Sequence, residues 1–320
     1  MDDIQSHPLK AIAPPSTLPL PVLHPKHEEI DRQVISYLVN TWEWPSEKAK
    51  KAFISWKLSD VVLFMFPTGD TERVRLACEL LLLGFLVDDW FDNTPLTTST
   101  ALVSRLHSLL ASPSTFQPTT TIEQMHTTLF SRILALSPPS SPDTPNPILT
   151  TYLSMLTCHC SPTRGSFPTL GSYLSFREID VGMPICRELL YWIEDISLTE
   201  FEKSLSAPLE RVANYHVSIL NDVFSFEREY KAAKELGQGA VLVNGVRILA
   251  DEVGVSVGAA KGLCFSLVRA WEGEFGEMAE GVLGAVKGEE ERERVGRAVR
   301  GIERRMAAAE AFSWRTGRYR

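Results

Sequence analysis

The sequence is short of cysteine, of long apolar runs and of excess positive charge, and each shortage closes off a class of protein. Five cysteines (Cys78, Cys158, Cys160, Cys186 and Cys264) are scattered through 320 residues in an odd number, which is not a disulfide framework. The opening MDDIQSHPLK carries two aspartates and has neither the basic start nor the apolar stretch of an export signal. Reduced thiols and a cytoplasmic location are therefore expected. Cys158-His159-Cys160 offers two thiols and an imidazole, but no second Cys/His pair lies nearby to complete a tetrahedral zinc site. The longest apolar run, Leu80 to Val87, is under half of what a membrane-spanning helix needs. With 32 basic against 40 acidic residues the net charge is -8, which argues against nucleic acid as a partner and leaves room only for a local basic pocket. There is no dinucleotide glycine fingerprint, no internal repeat, and little period-two alternation that would announce strands.

What the chain does have is helical spacing. Hydrophobic residues make up 44% and charged residues 22%, the balance of a folded globular protein. Residues 1–26 hold six prolines and read as an extended N-terminal arm. Beyond it Ile30, Val34, Ile35, Tyr37 and Leu38 form one apolar stripe. A second helix is expected over residues 71–89, and further helical segments over 148–158, 173–194, 199–230, 240–252, 255–286 and 289–312. Residues 137–147 contain five prolines and read as a loop. The expected fold is all-α: a single domain of about ten helices spanning residues 27–320.

Two polar motifs interrupt this apolar pattern. Asp88-Asp89-Trp90-Phe91-Asp92 follows directly on the apolar run. On a helix, positions four apart point the same way, so Asp88 and Asp92 aim at one point. Carboxylates so close repel unless a cation lies between them, and hard divalent ions take oxygen ligands. Downstream, Asn221, Ser225 and Glu229 are spaced four apart, each about 40° from the last around a helix. An amide oxygen, a hydroxyl and a carboxylate in one stripe are three hard donors for a single magnesium ion. The bland alternatives are a fraying helix end for the first motif and an ordinary polar helix face for the second. Yet both border greasy surface: Leu80 to Val87 before one, Val217 to Leu220 with Phe224 and Phe226 around the other.

Together, D-D-x-x-D and N-D-x-x-S-x-x-x-E in a helical chain resemble the class I terpene synthase family, and in particular fungal sesquiterpene synthases of the aristolochene synthase kind. The likeness extends to TWEWPSEKAKKAF, YLSFREIDVG, AVLVNGVRILADE and the terminal Arg318-Tyr319 pair. It implies a helical bundle around an apolar pocket, three Mg2+ ions, and a terpene cyclase (a carbon–oxygen lyase) that acts on farnesyl diphosphate. Carried onto this sequence, Asp88 would ligate metal with Asp92 in support, and Asn221, Ser225 and Glu229 would form the second metal triad. Arg177 would sense the diphosphate, linked through Asp180 to a helix break at Val181-Gly182. Arg228, Arg318 and Tyr319 would be further diphosphate contacts. Pro184 reads either as a simple kink or as part of that break. Phe85, at i-3 from Asp88, is the best aromatic wall for a carbocation; Phe312 and Trp314 are weaker ones. The resemblance leaves the product open, since Met65 stands where such relatives carry an aromatic residue. A homo-oligomer is compatible with the sequence. Two rival readings remain at this point: a chain-elongating prenyltransferase, which the Asn/Ser/Glu stripe disfavours, and a non-catalytic helical binding protein.

Overall fold

The computed structural model describes residues 7–112, 115–137, 146–161, 167–236 and 242–319. Most of the proline-rich stretch at 137–147, the first six residues and the start of the expected 240–252 helix lie outside the described residues. The described elements are thirteen α-helices and two 3-10 turns, with no strand among them. The helices are α1 (His27–Thr41), α2 (Glu47–Trp56), α3 (Ser59–Met65), α4 (Thr71–Asp92), α5 (Leu96–Ala111), α6 (Thr121–Ala135) and α7 (Pro147–His159), followed by α8 (Leu170–Asp180), α9 (Met183–Ile193), α10 (Glu200–Leu236), α11 (Gly245–Val253), α12 (Val257–Ala285) and α13 (Glu289–Arg315). The all-α expectation holds. The surplus over ten helices comes from short pieces such as α2 and α3, which are parted by Lys57 in a left-handed conformation (φ 53°). Helices of seven to ten residues barely fill a periodicity window.

The chain divides into two compact units. One comprises Leu23–Pro162 and Pro184–Asp195. Here α4 packs on α1, α3 and α6, and α5 packs on α6 and α7. Ile30, Val34 and Leu38 of the expected stripe are fully buried. Asp70 starts α4 by accepting hydrogen bonds from the Glu72 and Arg73 amides (3.1 and 3.0 Å), the usual service of an N-cap carboxylate. The helix runs to Asp92, one turn further than the apolar pattern alone requires, so all three aspartates lie on its last turns. There Asn93 caps it and donates its side-chain amide to the Asp89 carbonyl (2.7 Å).

The other unit comprises Met1–Val22, Thr163–Met183 and Ile196–Arg320. Its axis is α10, 37 residues long, or about 55 Å at the α-helical rise. It packs against α8, α11, α12 and α13. The segment read as one helix at 173–194 is two: α8 stops at Asp180, and Gly182 takes a positive φ of 77° that a side chain would strain. Pro184 is the second residue of α9, where it forfeits no helical hydrogen bond and breaks nothing. The Met183 carbonyl at the break accepts from the buried Arg305 guanidinium (3.2 Å), whose other end binds Glu210 (2.6 Å).

The described part of the arm is fastened to this unit. Pro8–Ala11 form a 3-10 turn that buries Leu9, and the His7 ring meets Phe224 and Trp314. Glu272 of α12 accepts hydrogen bonds from the Thr17 amide (2.8 Å), the Thr17 and Ser16 hydroxyls (3.0 Å each) and His216 (3.2 Å). Arg269 binds the Pro14 carbonyl (2.9 Å), Glu272 and both oxygens of Glu310. The cluster of His216, Glu272 and Glu310 has the spacing of a metal site, but this guanidinium already supplies its positive charge. Burial alone would raise the Glu272 carboxyl; the His216, Thr17 and Arg269 interactions outweigh it and bring it down from 4.5 to about 2. A depressed carboxylate stabilises the fold fully above its unfolded pKa, and that stability is lost as pH falls from about 4.5 through 2. Glu272→Gln is therefore expected to cost about 3 kcal/mol at pH 7. It should also flatten the acid limb of a urea-unfolding series between pH 4.5 and 2.

Candidate active site

The candidate residues fall into two groups, one in each unit. In the first unit the carboxylates of Asp88, Asp89 and Asp92 come within 4.8 Å of one another. The Asp88 side chain is half-buried and Asp92 is exposed. Phe85, a turn earlier on the same helix, is also half-buried. A residue the sequence pointed elsewhere joins them: His159, the last residue of α7, has Nδ1 3.5 Å from the Asp88 carboxylate and its ring edge-on to Phe91. The zinc reading of Cys158-His159-Cys160 gains nothing here, because among the described residues these cysteines join no metal-holding cluster.

The second group is assembled on α10. Asn221, Ser225 and Glu229 occupy successive turns of one helix. The Asn221 amide donates to the Tyr319 hydroxyl (2.7 Å), and its oxygen accepts from Arg177 (3.3 Å). Arg177 also binds Asp180, three residues on, and reaches Asp222 at 3.4 Å. Asp180 and Asp222 are buried, so a guanidinium shared between them offsets two charges that would be costly alone. Burial works against the charge on Arg177, yet Tyr173, Asp222 and Asp180 hold its pKa well above the ordinary value. The C-terminal segment does not trail into solvent. Gly317–Tyr319 form a 3-10 turn against α10, and Arg318 is buried. Burial raises the Tyr319 hydroxyl, while the nearby charges of Arg318 and Arg228 pull it down and that of Glu229 pushes it up. Thus Arg177, Asp180, Arg228, Arg318 and Tyr319 all gather around the stripe. Phe312 lies against Tyr319, and Trp314 is buried against Phe224 and Phe265.

Sequence reasoning missed the residues that hold this group in place. Asp222 accepts from the Tyr173 hydroxyl (2.7 Å) and the Gly245 amide (2.8 Å). Burial pushes its carboxyl up to about 7, Glu229 adds to this, and Arg177, Tyr173 and Gly245 pull against it. Asn244 binds Glu229. The only hint in the sequence was the Asp inside N-D-x-x-S, which the metal pattern leaves without a task.

A cleft of about 780 Å³ opens beside α11, lined by Tyr230, Leu242, Val243, Arg247 and Ile248 among others. None of the three stripe donors lines it, so it is a separate surface feature.

Comparison with known proteins decides the family. Residues 79–272 match the family model described as terpene synthase family 2, C-terminal metal binding. The chain belongs to this terpene synthase family. It is 29% identical to an aristolochene synthase of Aspergillus terreus over 309 residues, covering 96% of this chain and 93% of the relative. It is likewise 29% identical to a (+)-aristolochene synthase of Penicillium expansum, over 81% of this chain and 77% of that protein. The crystal structure of aristolochene synthase from Penicillium roqueforti superposes with a TM-score of 0.78 at 25% identity, covering 94% of this chain and 98% of that one. The all-α terpenoid synthase fold expected from the sequence is therefore the fold of this terpene synthase, and the matched region is a divalent-metal-binding one.

The stripe fits such an ion on its own chemistry. Ser225 is buried, and its hydroxyl oxygen has no hydrogen-bond partner among the described residues. A buried hydroxyl without a partner costs free energy. With an amide oxygen one turn before it and a carboxylate one turn after, it completes a set of hard oxygen donors suited to magnesium. Among the described residues no single helix is long and apolar enough to cross a membrane.

Proposed function

We propose that this terpene synthase ionises and cyclises farnesyl diphosphate to a C15 terpene, releasing diphosphate. The observation that carries the reading is the buried Ser225 hydroxyl between Asn221 and Glu229, without a hydrogen-bond partner among the described residues, with Arg177 and Tyr319 bonded to Asn221 and the charges of Arg318 and Arg228 close to Tyr319. The relatives, aristolochene synthases that align along most of the chain, support it. The family match runs through both compact units, which supports reading residues 27–320 as one catalytic domain behind an N-terminal arm.

Asp88 with Asp92, and Asn221 with Ser225 and Glu229, would hold magnesium, three ions in all. When bound, the metal would screen the charge of the diphosphate as it leaves. Arg177, Arg228 and Arg318 bind phosphate oxygens through guanidinium forks, and the Tyr319 hydroxyl adds a donor. Charge accumulates on the departing diphosphate as the allylic carbon–oxygen bond breaks, so donors fixed beforehand favour the transition state over the bound substrate. The electron pair leaves with the oxygen, and the allylic cation must close on its own double bonds before water reaches it. Phe85 would present an aromatic face to that cation. Loss of a proton, with retained diphosphate as the base, would end the sequence.

The test is incubation of the purified protein with farnesyl diphosphate, with and without magnesium, following diphosphate release and the volatile products by mass spectrometry. A magnesium-dependent C15 hydrocarbon or alcohol is expected. A longer prenyl diphosphate formed only with added isopentenyl diphosphate would overturn the cyclase reading, as would no release from prenyl diphosphates of any length.

A further inference from the structure

Asn244 stands where α11 begins, in a stretch of sequence that carries no recognised metal motif. It is fully buried, and each polar atom of its side chain has work. Its oxygen accepts the Val246 amide (2.9 Å) and so caps α11. Its nitrogen donates to the Glu229 carboxylate (2.9 Å) and to the Asp222 backbone carbonyl (2.9 Å). Those two acceptors bracket two turns of α10 that contain Ser225. The neighbouring Gly245 brings its amide to the Asp222 carboxylate (2.8 Å). A Cβ on Gly245 would meet Ile219 at 2.6 Å and Asp222 at 2.7 Å, so a larger residue here would have to displace the Ile219 and Asp222 side chains.

Resting on the metal reading of the stripe given above, we propose that Asn244 is a positioning residue for that stripe. It commits one Glu229 oxygen to a hydrogen bond inside the protein and leaves the other to face a cation beside Ser225 and Asn221. A glutamate has three rotatable side-chain bonds, and freezing them before the metal arrives removes an entropic cost from binding. Hydrogen bonds behind a ligating carboxylate commonly matter 10- to 100-fold in metal affinity.

The cap and the positioning role separate by substitution. Asn244→Ser and Asn244→Asp both retain a good N-cap oxygen for Val246. Serine is too short to reach Glu229, and aspartate replaces a donor with a like charge. The readout is Mn2+ binding to the full-length protein in the presence of inorganic diphosphate, followed by electron paramagnetic resonance, with Ser225→Ala as the reference. Circular dichroism checks that each variant folds. Asn244→Ser is expected to weaken Mn2+ binding about 10-fold or more, and Asn244→Asp at least as much. Binding within twofold of wild type in a folded Asn244→Ser protein, with Ser225→Ala weakened, would overturn the positioning role alone. If Ser225→Ala binds like wild type too, the metal reading of the stripe falls and takes the proposal with it.

Discussion

Replacing Asn221 and Ser225 together by alanine is expected to abolish turnover while leaving the helical content of the protein intact. The double variant keeps only Glu229 of the three stripe donors. Losing a correctly held divalent ion removes several kcal/mol of stabilisation from the departing diphosphate, and about 4 kcal/mol corresponds to roughly a thousandfold in rate. The fold should tolerate the change because the Ser225 hydroxyl makes no hydrogen bond among the described residues. Deleting a buried polar group that has no partner is neutral or stabilising. Asn221 loses more, its contacts to Tyr319 and Arg177, or about 1–2 kcal/mol. Diphosphate release measured beside far-ultraviolet circular dichroism checks both halves. Full activity in a folded double variant would sink the metal assignment, and an unfolded Ser225→Ala single variant would contradict the reading of its hydroxyl.

The difference between what the sequence disclosed and what it hid is one of range. Asn221, Ser225 and Glu229 were legible because they share one helix, and helical period alone puts them in a row. Asp88 and Asp92 were legible for the same reason. The residues that hold them were not: Tyr173 reaches Asp222 across 49 positions, Asn244 reaches Glu229 across 15, and Tyr319 meets Asn221 across 98. Such pairings depend on how α8, α11 and the C-terminal turn pack on α10, and no local periodicity encodes that. The arm shows the same limit. Its prolines marked it as non-helical, but nothing in Ser16 or Thr17 points to Glu272, some 255 residues away. The break at Val181-Gly182 reached the sequence reading only through family resemblance, because hydrophobic spacing runs on across it. His159 shows the same limit: its neighbours Cys158 and Cys160 do not make a zinc site with it, and nothing local announces its contact with Asp88.

Arg177→Met is expected to change metal uptake in opposite directions depending on whether diphosphate is present. The Arg177 guanidinium lies 3.3 Å from the Asn221 oxygen, the same atom that a cation in the stripe would need. Without diphosphate, arginine and metal therefore compete for one acceptor, and removing a positive charge beside the stripe favours cations further. Mn2+ alone should bind the variant more tightly than wild type. With inorganic diphosphate the order reverses, because the variant lacks the fork that grips phosphate oxygens and holds anion and metal together. Turnover should fall about 100-fold or more, the usual cost of losing a donor aimed at developing charge. The variant also removes the cation that Asp180 and Asp222, both buried, share, so stability should drop by about 3–5 kcal/mol. Arg177→Lys tests the geometry separately: it restores the charge, but a single ammonium cannot span Asp180, Asn221 and Asp222 at once. It should recover much of the stability and little of the turnover. Mn2+ titrations of both variants, with and without diphosphate, read the competition directly. Weaker binding of Mn2+ alone in a folded Arg177→Met protein would show that the arginine does not shield Asn221, and its contact with that residue would then be structural.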